Sequence, residues 1–317
     1  MRVMWFPRLR MAVSVMAVLA ASFMPSTGFA ATHKHHHYSR HHAHAGVQGE
    51  QYAAVVVDAN DGHVLYEKDA AGIRYPASLT KMMTLYLTFD ALKNGRLKID
   101  QTIMVSAKAS GQPQTNIALE KNDRLPVRTA IESVVVRSAN DSAMALGETL
   151  GKTQWNFALM MSKKARELGM KNTVFRNPTG LPDNAQHTTA YDMAKLAIAL
   201  KRDFPEYYHY FSLSSFTWRG VTYPGHNHVM ARYAGVDGVK TGYIRASGYN
   251  LVTSAHRGGH SLVAVVMGGR TIDSRDDQMI ALLDQGFAQL ERQTAAKAAS
   301  KKDGALEGHS QQTAQAF

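Results

Sequence analysis

The chain has 317 residues, 45% of them apolar and 19% charged, a globular composition that excludes wholesale disorder and a staple-dependent mini-protein. It holds no cysteine, which removes disulfide frameworks, thiolate nucleophiles and Cys-ligated zinc together. The net charge of +11 comes from 36 Lys and Arg against 25 Asp and Glu; it is spread along the chain, and suits an anionic membrane or wall polymer as well as nucleic acid.

Residues 1–30 carry Arg2, Arg8 and Arg10 and no acid, then an apolar run from Met11 to Met24, then Pro25 and Gly28-Phe29-Ala30. A basic start, a short apolar stretch and a small-x-small end are the signature of a secretory signal. As a helix the run covers about 21 Å at about 1.5 Å per residue, short of a hydrocarbon core of about 30 Å. The expectation is export to the periplasm, with cleavage near Ala30. Residues 31–50 follow as a His-rich linker: His33, His35, His36, His37, His41, His42 and His44 are seven of the 15 histidines. Neutral imidazoles ligate zinc, copper and nickel. The tract lacks the carboxylates and regular spacing of a defined site, so it reads as a weakly basic, disordered linker.

The folded domain is predicted over 51–292. Tyr52–Val57, the turn cluster Asp58–Gly62 and His63–Lys68 read as a hairpin. Lys81–Leu92, Val127–Leu150 and Trp155–Leu168 carry apolar residues at three- and four-residue spacing and read as helices. A second hairpin joins Tyr249–Ser254 to Ser261–Met267 across His256-Arg257-Gly258-Gly259. Arg275–Arg292 closes the domain as an amphipathic helix, and 293–317 reads as a solvated, disordered tail. Strands at both ends with helices between predict an α/β chain of the α+β type: an antiparallel sheet whose first and last strands meet, flanked by helices, plus a helical subdomain.

Three short motifs carry chemistry. In Ser78-Leu79-Thr80-Lys81 a serine opens a helix, and a lysine three residues on shares its face. A serine hydroxyl is a weak nucleophile until a base takes its proton. A lysine is a base only when neutral, a state that desolvation and a second cation both favour. Ser138-Ala139-Asn140 puts a hydroxyl and a carboxamide into an apolar helical pattern, where both need partners. Lys240-Thr241-Gly242 reads as a strand beside a cleft: the glycine admits close backbone approach, and the lysine and threonine offer a cation and a hydroxyl to a carboxylate. Ser78 is the one serine with lysine three residues later, and Ser-x-Asn and Lys-Thr-Gly each occur once. His226 and His228, flanking Asn227, and His187 read as polar surface or supporting residues.

The trio, in this order, resembles that of the low-molecular-mass penicillin-binding proteins of the D-alanyl-D-alanine carboxypeptidase type. The resemblance spans about Gln51 to Leu290. It includes Pro76-Ala77-Ser78, Asn177-Pro178-Thr179-Gly180-Leu181, Thr189–Met193, Gly235–Gly242, Gly248–Leu251 and Met267–Thr271 followed by Arg275. It implies a β-lactamase/transpeptidase-like fold. It further implies a Ser78 acyl-enzyme, Lys81 as base, Ser138 as proton relay and Asn140 orienting the donor peptide. Lys240 would supply charge, Thr241 and Arg275 would hold the terminal carboxylate, and the amides of Ser78 and Tyr243, beside Gly242, would form the oxyanion hole. The implied partners are peptidoglycan stem peptides and acylating β-lactams, with no nucleic acid and no metal or organic cofactor.

Ile244 stands where the family pattern leads one to expect Thr, and Ser247 where it leads one to expect Ala. Neither a further β-rich domain nor an amphipathic anchoring helix is expected here, so membrane association would be peripheral at most. A cross-link endopeptidase shares nearly the same motifs and is the alternative. A class A β-lactamase needs an additional carboxylate that no motif marks. A metal- or wall-binding protein without activity leaves the trio unexplained. A lipase-like hydrolase lacks its Gly-x-Ser-x-Gly elbow.

Overall fold

A computed structural model describes residues 48–314, with side chains described for 51–300. The expected export signal (1–30) and most of the His-rich segment (31–47) lie outside the described residues.

The chain begins with the hairpin β1 (Gln48–Asp58) and β2 (Val64–Lys68). The side chain of Asp58 accepts from the Asn60 amide at 2.8 Å inside the turn, the local bonding that makes Asp and Asn turn residues. A 3-10 turn, Ala77–Thr80, runs directly into α1 (Lys81–Lys93). The helical region follows: β3 (Thr102–Met104), α2 (Ala107–Ser110), β4 (Arg124–Pro126), α3 (Val127–Val136), α4 (Asn140–Gly151), α5 (Gln154–Glu167), α6 (Ala190–Asp203) and α7 (Pro205–Tyr208). A short hairpin, β5 (Ser215–Trp218) and β6 (Val221–Pro224), and α8 (Val229–Arg232) lead back to the sheet. The sheet is completed by β7 (Val236–Ile244), β8 (Gly248–Arg257) and β9 (His260–Gly269), and α9 (Ile272–Ala314) covers it.

The five strands run in the order β2-β1-β9-β8-β7, all neighbours antiparallel. The first and last strands do meet, with Val55 opposite Val265. The period of two explains why these strands are apolar throughout. Ala54, Val56, Leu262, Ala264 and Val266 face Met279, Leu283 and Phe287 of α9. Val55, Val57, Val263, Val265 and Met267 face the helical region. Both faces are covered, and β7 is left as an edge strand.

Four parts of the fold differ from the sequence reading. The helix predicted over Val127–Leu150 is two helices, because Ser138 sits at φ 59 between them and the Asn140 amide donates to the Thr115 carbonyl at 2.7 Å instead of continuing a helical ladder. The closing helix does not end at Arg292 with a disordered tail after it; it runs to Ala314. The last side chain of the apolar layer is Leu290, and the Ala, Lys and Gln that follow are strong helix formers whatever they pack against. The β5–β6 hairpin has strands of only four residues, too short for a period to mark them, whereas α6 carries Met193, Leu196, Ala197 and Leu200 at helical spacing, a legible pattern that the sequence reading leaves unassigned.

Phe287 is fully buried between sheet and helix. Phe287→Ala should therefore lower the unfolding free energy by about 3–5 kcal/mol, read from urea denaturation. A loss below about 1 kcal/mol would contradict this packing.

Candidate active site

Ser78 stands in the 3-10 turn just ahead of α1, after Ala77 at φ 49. Left-handed backbone at a residue with a Cβ is strained and persists where its surroundings fix it. Two neighbours do so. Gly180, at φ +81, lies so close that a Cβ there would fall 1.8 Å from the Ala77 carbonyl oxygen. Asn250, wholly buried, donates to the carbonyls of Tyr75 (3.2 Å) and Pro76 (3.3 Å) and accepts from the Gly268 amide (3.0 Å). The sheet thus grips the segment before the serine.

The first turn of α1 puts Lys81 Nζ 3.0 Å from Ser78 Oγ. Nζ also donates to Asn140 Oδ1 at 2.7 Å and to the Thr179 carbonyl. The Asn140 amide group donates to the Pro113 carbonyl at 2.9 Å, which fixes its oxygen toward the lysine. A neutral amine has two N–H bonds and one lone pair. The two carbonyl-type acceptors use the N–H bonds, and the lone pair is left for the serine hydroxyl.

Electrostatics favour that neutral form. Lys81 is fully buried and its pKa lies well below 10.5, first because burial removes the ammonium from water, then because Lys240 is close; Asp141 opposes weakly. Lys240 is itself buried, and desolvation followed by the Arg275 charge lowers it to about 7. Neither lysine pairs with a carboxylate among the described residues. Arg275 is paired: its Nε and Nη2 donate to Asp276 Oδ1 at 2.9 and 2.7 Å.

Opposite the serine, the break between α3 and α4 aims Ser138 and Asn140 inward. Ser138 Oγ is buried and has no hydrogen-bond partner among the described residues. The third wall is the loop Asn177–Leu181. Asn177 Oδ1 accepts from the Thr179 amide and hydroxyl and the Gly180 amide at 3.2, 2.9 and 2.8 Å, and its Nδ2 donates to the Leu181 carbonyl at 3.0 Å. The fourth is β7. Gly242 brings that strand so close that a Cβ would sit 3.1 Å from the amides of Ser78 and Leu79.

These walls enclose a cavity of about 430 Å³. Of the sequence-predicted residues, Ser78, Ser138, Asn140, Thr241, Gly242, Tyr243 and Arg275 line it. Lys81 and Lys240 lie beneath the surface instead, and Lys240 Nζ donates to the Thr241 carbonyl at 2.9 Å. The sequence reading has Lys240 offering a cation to a substrate carboxylate; in the structure its Nζ donates to the carbonyl of its neighbour on the strand. His226 and His228, read as polar surface or supporting residues, form part of the wall. Burial, then Lys240, Arg137, His228 and Arg275, lowers His226 to about 4, so it is neutral at neutral pH. His187 sits in a loop, its backbone bridged to Val174. Ser247, where the resemblance led one to expect Ala, clasps a turn, while Ile244 lines the cavity. Sequence reasoning missed the Thr179 carbonyl and the Asn177 clamp. The Asn-Pro-Thr-Gly turn signal could have pointed to Asn177, but nothing in a side chain marks a backbone acceptor.

A family model described as D-alanyl-D-alanine carboxypeptidase matches residues 40–271. The D-alanyl-D-alanine carboxypeptidase DacF of Bacillus subtilis is 35% identical over 80% of this chain and 68% of its own length. DacA of Escherichia coli is 36% identical over 76% of this chain and 61% of its own. The chain thus spans roughly two thirds of the length of these relatives. Among solved structures, penicillin binding protein 5 from Haemophilus influenzae superposes with a TM-score of 0.73 at 35% identity, over 76% of this chain and 71% of that one. Penicillin-Binding Protein D2 from Listeria monocytogenes, in a cefotaxime-bound form, gives 0.69 at 29% identity over 74% and 96%.

Gly169 and Gly180 both have positive φ, but a Cβ at Gly169 meets nothing within 4 Å. Gly169→Ala should carry the backbone cost alone, and Gly180→Ala should cost at least about 1 kcal/mol more, measured by urea unfolding. Equal losses would mean that the Gly180 approach to Ala77 does not hold the turn.

Proposed function

The chain belongs to the D-alanyl-D-alanine carboxypeptidase family, and from that we propose that it is an exported serine peptidase removing the terminal D-alanine from peptidoglycan stem pentapeptides. The observation that carries the reading is Lys81 Nζ, buried 3.0 Å from Ser78 Oγ with no counter-ion among the described residues. Neutral Lys81 takes the hydroxyl proton as Ser78 Oγ attacks the carbonyl of the penultimate residue. The oxygen that becomes negative is met by the amides of Ser78 and Tyr243, positioned by the close approach of Gly242. The C–N bond then breaks. Ser138, whose hydroxyl has no other partner among the described residues, hands a proton to the departing amine and takes one back from protonated Lys81, and water later hydrolyses the ester. Thr241 and Arg275 at one end of the cavity receive the terminal carboxylate, while Lys240 contributes charge from below. Asn140 serves both Lys81 and the donor peptide. The base, relay and oxyanion donors are all protein groups, so the mechanism calls on no cofactor.

A β-lactam presents a strained amide beside a carboxylate, so the same groups acylate Ser78 with it. The cefotaxime-bound relative supports that extension. Export to the periplasm rests on the signal-like residues 1–30.

Two measurements test the reading. The protein incubated with a pentapeptide muropeptide should release one alanine, followed by mass, and leave a D-Ala-linked cross-linked dimer intact. Cleavage of the dimer with the pentapeptide untouched would overturn the carboxypeptidase in favour of the endopeptidase. Ser78→Ala should abolish covalent labelling by a fluorescent penicillin, and undiminished labelling would remove Ser78 as the nucleophile.

A further inference from the structure

A second basin lies beyond the tyrosine that follows Lys240-Thr241-Gly242. Its volume is about 660 Å³, and it shares Tyr243 and Tyr249 with the cavity that holds Ser78. The two tyrosines face each other across β7 and β8, their ring centroids 4.4 Å apart. They form a sill between the two spaces, with Tyr243 half exposed. Beyond the sill the wall is polar. Arg245 and Arg270 line it and no aspartate or glutamate does among the described residues.

Arg245 stands at the β7–β8 turn, and that turn is held. The buried Ser247 hydroxyl accepts from the Ile244 amide at 3.2 Å and donates to the Gly248 carbonyl at 2.8 Å. Arg245 is exposed and forms no ion pair among the described residues. A cation placed on a pinned turn over a cavity with no acid among its described lining residues is an anion-attracting position.

The direction of the substrate follows from the order of residues on β7. The terminal carboxylate belongs at Thr241 and Arg275, and the scissile carbonyl at Ser78, beside Gly242. The rest of the peptide leaves along the free edge of β7, over Tyr243 and Ile244, toward Arg245. Four residues of strand span about 13 Å, at about 3.3 Å each. The third residue upstream of the scissile bond therefore reaches the basin.

We infer that this basin is a subsite for a carboxylate carried by the upstream part of the substrate peptide, with the Tyr243–Tyr249 pair supporting the chain and Arg245 meeting the anion. The subsite selects acidic donor peptides over neutral ones of the same length. It rests on the carboxypeptidase reading above.

The test uses two blocked peptides ending in D-alanyl-D-alanine, identical except for glutamate or glutamine at the third residue before the scissile bond. At low salt the parent protein should favour the glutamate peptide in kcat/KM by about three- to fivefold, the scale of an exposed ion pair. The preference should appear in KM and fade at about 1 M salt, where charges are screened within about 3 Å. Arg245→Ala should bring the ratio toward one, and Arg245→Glu should invert it. A ratio of one in the parent, or a preference that survives Arg245→Glu, would overturn the subsite while leaving the carboxypeptidase standing. Turnover of neither peptide would overturn both.

Discussion

Lys81 is an amine buried with no counter-ion among the described residues, and the rest of the site is arranged around it. A charged ammonium in that position would be strongly unfavourable. Its neighbours instead suit a neutral amine: two fixed acceptors, Asn140 Oδ1 and the Thr179 carbonyl, and one hydroxyl, Ser78. Each comes from a different part of the chain. Ser78 precedes α1, Asn140 opens α4, and Thr179 sits in the loop clamped by Asn177. The buried Lys240 on β7 adds a second positive charge that holds the first lysine's pKa down. One proton-binding site therefore joins the sheet to the helical region.

The backbone is bent where those parts meet. Ala77 and Ser138 occupy left-handed conformations although each carries a Cβ, Gly180 allows a contact that no larger residue permits, and Gly242 one that a larger residue would have to widen. Such strain is stable only because packing elsewhere over-determines it. The two apolar layers flanking the sheet and the Asn250 bonds to Tyr75 and Pro76 supply that constraint. The site is rigid for the same reason that it is costly: its parts cannot relax without losing the contact between Ser78 and Lys81.

Much of this was legible in the sequence. The trio of motifs marked residues that the fold gathers at one cavity, because each combines residue types that an apolar helix or strand does not otherwise tolerate. The two hairpins were visible because buried strands are rich in Val and Ala and their turns in Gly, Asp and Asn. The first and last strands could be paired because strands at both ends of the domain with helices between them imply one antiparallel sheet. What could not be read depended on backbone geometry. The split of α3 from α4 turns on a single φ at Ser138, and helical spacing runs through it uninterrupted. The Thr179 carbonyl has no side chain to announce it. The depth of Lys240, beneath the cavity rather than in its wall, depends on a strand placement that local pattern does not contain. The extension of α9 past Arg292 reflects intrinsic helix propensity where hydrophobic pattern had already stopped.

The central claim is that Lys81 is neutral when Ser78 reacts. The most direct measurement is the rate of Ser78 acylation by a chromogenic β-lactam across pH. Deprotonation activates the base, so the rate should climb as pH rises through the Lys81 pKa and level off well below 10.5, the ordinary lysine value. A rate that keeps rising into the ordinary lysine range would mean that Lys81 is charged at neutral pH, and would contradict the account.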